Sequence, residues 1–213
     1  MRVLALSGSL RRDSFNTALV RAAMEVAPPG LEIELYEGIA ELPHYDADLD
    51  IDEVPEAVAE LRKRIAAADG LLLATPEYNN SVPGVLKDAI DWASRPFRES
   101  ALWGKPALVV GTSTNAYGAM LAHADLRKIL ARAGARVCDG GLSLPKARDS
   151  FDAVGRLVDD HARARLAELL GELKREGAAR EAAPSGSSTS VELAEALPAD
   201  QRSTALARVP YAG

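Results

Sequence analysis

RVLALSGSLRRDSFN, residues 2–16, opens on a short aliphatic run at Arg2–Leu6, is stopped by Ser7-Gly8-Ser9, and gives way at Phe15 to apolar residues at helical spacing through Val26. An apolar segment, a Gly/Ser turn and an amphipathic stretch read as strand, loop and helix. The unit recurs along the chain. Glu32–Tyr36 alternates polar and apolar residues, Glu37–Glu53 has loop character, and Pro55–Ala68 reads as a helix with proline in its first turn. Gly70–Thr75 is apolar almost throughout, as expected of a strand buried on both faces of a parallel sheet. Helix Val82–Ser94, strand Ala107–Thr112, helix Gly118–Ala133, a weaker strand over Arg136–Leu142 and helix Ser150–Lys174 complete five alternations. The pattern predicts an α/β fold: a doubly wound, five-stranded parallel sheet with helices on both faces and right-handed crossovers.

The 213 residues suffice for one packed domain, read as residues 1–175. From Glu176 the composition shifts to Ala, Ser, Gly and Pro, with a short predicted helix over Val191–Leu197. Residues 176–213 are therefore read as a linker and appendage, either poorly ordered or docked on a partner subunit. The formal net charge of −6 argues against a general role on nucleic acid or on a membrane surface, since both polyanions would be repelled. Cys138 is the sole cysteine, which excludes an intramolecular disulfide and reads as a small buried apolar residue rather than a reactive thiol. No signal-peptide pattern or membrane-spanning apolar run is present, so a cytoplasmic location is expected. His44, His123 and His161 share no motif at metal-ligand spacing; no metal site is expected, and the three are assigned surface or packing roles.

In an open parallel sheet, ligands bind beyond the carboxyl ends of the strands, which directs attention to three loops. The first, Ser7–Asn16, combines the free N–H groups of a helix start with serine hydroxyls, an asparagine amide and the Arg11 guanidinium, a set that suits phosphate. Neither G-x-G-x-x-G nor G-x-x-x-x-G-K-[ST] occurs there, so a terminal monophosphate fits better than a dinucleotide or a nucleoside triphosphate. The second loop, TPEYNNSVPG at Thr75–Gly84, offers a stiffening Pro76, the aromatic surface of Tyr78 and the amide of Asn79, suited to the edge of a planar heterocycle. The same string also reads as a plain Pro/Asn turn capped by Ser81. The third loop is Thr112–Gly118.

Two strings, GSLRRDSFN at Gly8–Asn16 and PEYNNSVPGVLKDAIDW at Pro76–Trp92, resemble in content, order and separation the NADPH-dependent FMN reductase family, flavodoxin-like proteins that include quinone, azo and chromate reductases. The resemblance spans roughly residues 1–174 and implies strand order 2-1-3-4-5, non-covalent FMN, NADPH or NADH as reductant and a small-molecule electron acceptor. It implies a homodimer or a homotetramer. It also implies that Ser9, Arg11, Ser14 and Asn16, with Phe15 beside them, hold the FMN phosphate. Pro76, Glu77, Tyr78 and Asn79 would border the isoalloxazine ring, and Ser113 and Gly118 would approach it from the third loop. The cofactor carries the redox chemistry, so no dedicated acid–base residue is required, and Tyr78 is assigned ring shaping or acceptor contact. Three positions depart from the family: Asn115 stands where glycine is common, Ala119 replaces the second of a glycine pair, and Asp88 replaces a frequent Asn. Asparagine tolerates positive φ, so the turn at Asn115 is expected to survive. Two other functions fit the same loops: a non-enzymatic electron carrier of the flavodoxin type, and a nucleotide-binding regulatory module.

Overall fold

The computed structural model describes residues 1–51 and 53–182. In chain order these form β1 (Arg2–Ser7), α1 (Phe15–Glu25), β2 (Glu32–Leu35), α2 (Glu56–Ala67), β3 (Gly70–Thr75), α3 (Gly84–Ala93), β4 (Pro106–Thr112), α4 (Met120–Arg132), β5 (Arg136–Val137), β6 (Leu142–Leu144), α5 (Ala147–Ser150) and α6 (Asp160–Ala182). Two short 3₁₀ turns, Gly38–Glu41 and Ala47–Leu49, punctuate the stretch read as loop. Every strand pairing is parallel, in the order β2-β1-β3-β4-β5, with β6 also on β4. This is the flavodoxin-like topology expected from the sequence.

The two-residue period of the central strands divides the core between the faces. Val3, Ala5, Leu72, Ala74, Leu108 and Val110 pack with Leu19 and Val20 of α1 and Leu166, Leu169 and Leu173 of α6. Their neighbours Leu4, Leu6, Leu71, Leu73, Ala107 and Val109 pack with Leu61 and Ile65 of α2, Leu86 and Ile90 of α3, and Leu126 and Leu130 of α4. Each fully buried leucine contributes roughly 1.5–3 kcal/mol, so the continuous apolar run that marked β3 is what the two-sided burial demands. Trp92 is wholly buried, its indole N–H donating to Pro43 O at 2.9 Å.

The predicted fifth strand, Arg136–Leu142, is broken in two. The glycines between its halves lie too close to neighbours to carry side chains: a Cβ would come within 2.6 Å of Leu169 Cδ2 at Gly140 and 2.3 Å of His123 Nε2 at Gly141. Between the halves, the Arg127 guanidinium binds the carbonyls of Cys138, Gly140 and Asp139 at 2.7, 3.2 and 3.2 Å. The last long helix starts at Asp160 rather than Ser150, because residues 151–157 fold into a turn. The Asp152 carboxylate accepts there from the N–H groups of Val154 and Arg156, and Asp159 caps α6 through Ala162 N at 2.9 Å. Of the expected appendage, the short helix at 191–197 lies outside the described residues. No helix among the described residues is long and apolar enough to cross a membrane.

Candidate cofactor site

The loops after β1, β3 and β4 open on one edge of the sheet. Gly8 begins the first, its N–H donating to Ala74 O at 2.8 Å. A Cβ there would meet Leu86 Cδ2 at 3.0 Å and Pro76 Cδ at 3.3 Å, so glycine lets this loop lie against the second. Ser14 is the N-cap of α1, its hydroxyl accepting from Thr17 N at 3.3 Å. The N–H groups of Phe15 and Asn16 in the first turn of α1 have no partner among the described residues, nor has the exposed Arg11 guanidinium. Ser9 is buried beside them. The Asn16 side chain is engaged elsewhere: Nδ2 donates to Thr112 O and Oδ1 accepts from Thr112 N, each at 3.0 Å. The Phe15 ring packs on Phe151, with centroids 5.4 Å apart.

In the second loop, Tyr78 and Ser81 exchange two backbone hydrogen bonds of 3.1 Å across Asn79 and Asn80, whose φ values are 52° and 64°. Positive φ at both central residues is the requirement of a tight hairpin turn, and asparagine meets it. Pro76 is buried beneath, and the Tyr78 ring is 48% exposed. Glu77 turns to α4, its Oε2 accepting from Leu121 N at 2.8 Å and Ala122 N at 3.2 Å. Asp88 anchors the segment before α2, accepting from Tyr45 N at 3.0 Å and bonding His44 Nδ1 at 2.9 Å.

The third loop is built by its own side chains. Ser113 Oγ donates to Gly118 O at 2.9 Å, and Asn115 Oδ1 accepts from Tyr117 N at 2.9 Å. Asn115 is thus accommodated through a side-chain turn and not through the positive φ expected of it. Gly118 does adopt positive φ, at 64°, and a Cβ would come within 3.0 Å of Ser143 Oγ.

A cleft of about 430 Å³ joins the first two loops, lined by Gly8, Leu10 and Arg11 on one side and Tyr78, Pro83, Gly84 and Val85 on the other. Sequence reasoning missed Leu10 and Val85; the signal that could have found the first is a lone leucine between the polar residues Ser9 and Arg11. A larger groove, about 810 Å³, lies at β2 and is lined by Glu34, Glu37, Glu41, Glu56 and Glu60, which disfavour an anion. Cys138 lies apart from the cleft, and burial, with Glu176 and Glu172 nearby, pushes its thiol up to about 11. No group of metal-ligating side chains occurs among the described residues.

The sequence profile of NADPH-dependent FMN reductases matches residues 1–149. The chain belongs to the NADPH-dependent FMN reductase family. An NAD(P)H-dependent FMN reductase of Pseudomonas aeruginosa is 43% identical over 175 residues, 82% of this chain and 94% of its own length. A 2-hydroxy-1,4-benzoquinone reductase of a Burkholderia species is 46% identical over 131 residues, 62% of this chain and 70% of its own. Among solved structures, a flavoenzyme NAD(P)H:acceptor oxidoreductase of Paracoccus denitrificans superposes with a TM-score of 0.71 at 34% identity, over 82% of this chain and 98% of its own. Family membership assigns the chain to NAD(P)H-dependent, flavin-based oxidoreductases. The donor chemistry of this FMN reductase family member suits the group: the loop after β1 carries two helix-start N–H groups without a partner among the described residues, two serines and the Arg11 guanidinium, the donor types that a phosphate takes. Gly84, where a Cβ would meet nothing within 4 Å, leaves open floor beside Tyr78.

Proposed function

We propose that residues 1–175 form a domain that holds FMN non-covalently and passes electrons from NADPH or NADH to quinones, free flavin or other small acceptors. The observation that carries this reading is the cleft lined by both Arg11 and Tyr78, which puts a cation of the first loop and the aromatic side chain of the second on one opening. Bound FMN supplies the redox chemistry. Arg11, the Ser9 and Ser14 hydroxyls and the N–H groups of Phe15 and Asn16 grip the phosphate. Pro76 and the Tyr78 turn border the ring, while Ser113 and Gly118 shape the third side. The Glu77 carboxylate is held on α4, so the cleft relies on placement rather than on a resident base. The opening admits reductant and acceptor in turn, which predicts ping-pong kinetics.

The proposed assembly is a homodimer, or a homotetramer, in the cytoplasm. Tyr117, Met120 and Leu121, exposed where the third loop enters α4, provide apolar surface for a second copy beside the site. An absorbance spectrum of the purified protein, recorded anaerobically before and after NADPH and then after 1,4-benzoquinone, tests the function. A flavin spectrum that bleaches with NADPH and returns with the quinone is expected. A flavin spectrum that NADPH leaves unchanged would instead indicate an electron carrier, and a colourless protein that ignores added FMN would defeat the reading.

A further inference from the structure

We infer that Glu77 is a positioning residue: together with the Ser81–Asp125 pair it fastens the Tyr78 turn to α4 and so sets the wall against which a small acceptor seats. The inference rests on the FMN site proposed above. The N-cap position of α4 is Ala119, which has no side chain able to accept a hydrogen bond. The cap comes instead from Glu77, 44 positions before Leu121: its Oε2 accepts from Leu121 N at 2.8 Å and, more weakly, from Ala122 N at 3.2 Å. A carboxylate is favoured there because it satisfies unpaired N–H groups and opposes the positive end of the helix. On the far side of the turn, Ser81 Oγ donates to Asp125 Oδ2 at 3.0 Å. Lys128 approaches the other oxygen of Asp125 at 3.5 Å.

The two ties flank Tyr78-Asn79-Asn80-Ser81. Among the described residues the turn makes, apart from them, only its own pair of backbone bonds, and the Tyr78 side chain, 48% exposed, has no hydrogen-bond partner. The internal bonds fix the turn's shape. Its place over the cleft is fixed by α4. Loosening the ties should therefore impair acceptor seating while leaving the phosphate grip of the first loop intact.

The test compares the purified wild type with Glu77→Ala, Glu77→Gln, Ser81→Ala and the Glu77→Ala/Ser81→Ala double variant. The KM for 1,4-benzoquinone should rise roughly ten-fold in Glu77→Ala, the equivalent of one charge-assisted hydrogen bond, while the FMN dissociation constant moves far less. Glu77→Gln, whose amide oxygen can accept from the same N–H groups, should recover most of that loss. Ser81→Ala should act in the same direction, and the double variant should fall short of the product of the two, since either break frees the same turn. Independently of turnover, amide hydrogen exchange over residues 78–81 and at Leu121 should quicken in Glu77→Ala. Unchanged KM and exchange in FMN-replete Glu77→Ala, or a Gln variant no better than Ala, would overturn the inference alone. A wild type that takes up no FMN would overturn the functional reading with it. Should Glu77→Ala fail to fold, Ser81→Ala carries the comparison: raised KM and faster exchange support the inference, and unchanged values overturn it.

Discussion

Asn16 and Thr112, 96 positions apart, are joined by a two-way amide pair in which Asn16 Nδ2 donates to Thr112 O and Thr112 N donates to Asn16 Oδ1, each at 3.0 Å. Both residues are buried. The pair pins the start of α1 to the end of β4, and so fixes the first loop relative to the third. Asn16→Ala would leave the Thr112 N–H and carbonyl unpaired away from water. We expect a loss of about 2–4 kcal/mol of stability, read by equilibrium urea unfolding, together with weaker FMN binding. Unaltered stability would show that water or a neighbour replaces the amide.

Arg11 is exposed and without a charge partner among the described residues, so its removal should not disturb the fold. Arg11→Ala should weaken FMN binding by roughly 10- to 100-fold, the loss of one charge-assisted contact, with the unfolding midpoint unmoved. Fluorescence-quenching titration with FMN measures it. Equal affinity in the variant would remove Arg11 from the phosphate site.

Gly118 sits at φ 64°, with Ser143 Oγ and the Leu144 carbonyl carbon at 3.0 and 3.1 Å from where a Cβ would stand. Gly118→Ala combines backbone strain with overpacking, and we expect it to cost about 1–3 kcal/mol. Differential scanning fluorimetry should show a lowered Tm. A variant as stable as wild type would mean that the third loop rearranges freely.

His123 links stability to pH. Burial lowers its pKa most, and Arg127 lowers it further, against the raising effect of its hydrogen bond with Val109 O. A folded-state pKa below the unfolded value of about 6.5 means that the unfolded chain takes up the proton first. The contribution is therefore complete above that value and is lost as pH falls toward the folded pKa. His123→Gln keeps a side-chain N–H for Val109 O without the titration. Urea unfolding between pH 7.5 and pH 5 should show a shallower decline in the variant, and parallel declines would remove His123 as a cause.

The features that were legible in the sequence are those encoded locally. The β1–loop–α1 unit, the apolar β3 and the Asn79-Asn80 turn each carry their signal within about ten residues, and the structure joins the first two loops in one cleft. Pairings across the chain were not legible. Asn16 was assigned to the phosphate from its amide and from the family resemblance, and nothing local pointed to the partner its side chain meets, Thr112; Glu77 was assigned to the ring by resemblance, and nothing local pointed to the helix α4 that its carboxylate caps. A polar side chain in a loop announces that it needs a partner without saying which. The break in the fifth strand is written as Gly140-Gly141, but its explanation lies in Leu169, His123 and Arg127, which tertiary packing brings alongside.

That break has a counterpart at the opposite margin of the sheet. One flank ends in segments of two and three residues, and the other in a four-residue strand bearing Glu32 and Glu34. Among the described residues neither flank presents a long, uncharged ladder of open amides that a neighbouring molecule could extend. Pairing of copies edge to edge through either flank is thereby disfavoured, and with it the fibrous stacking to which an open sheet is exposed.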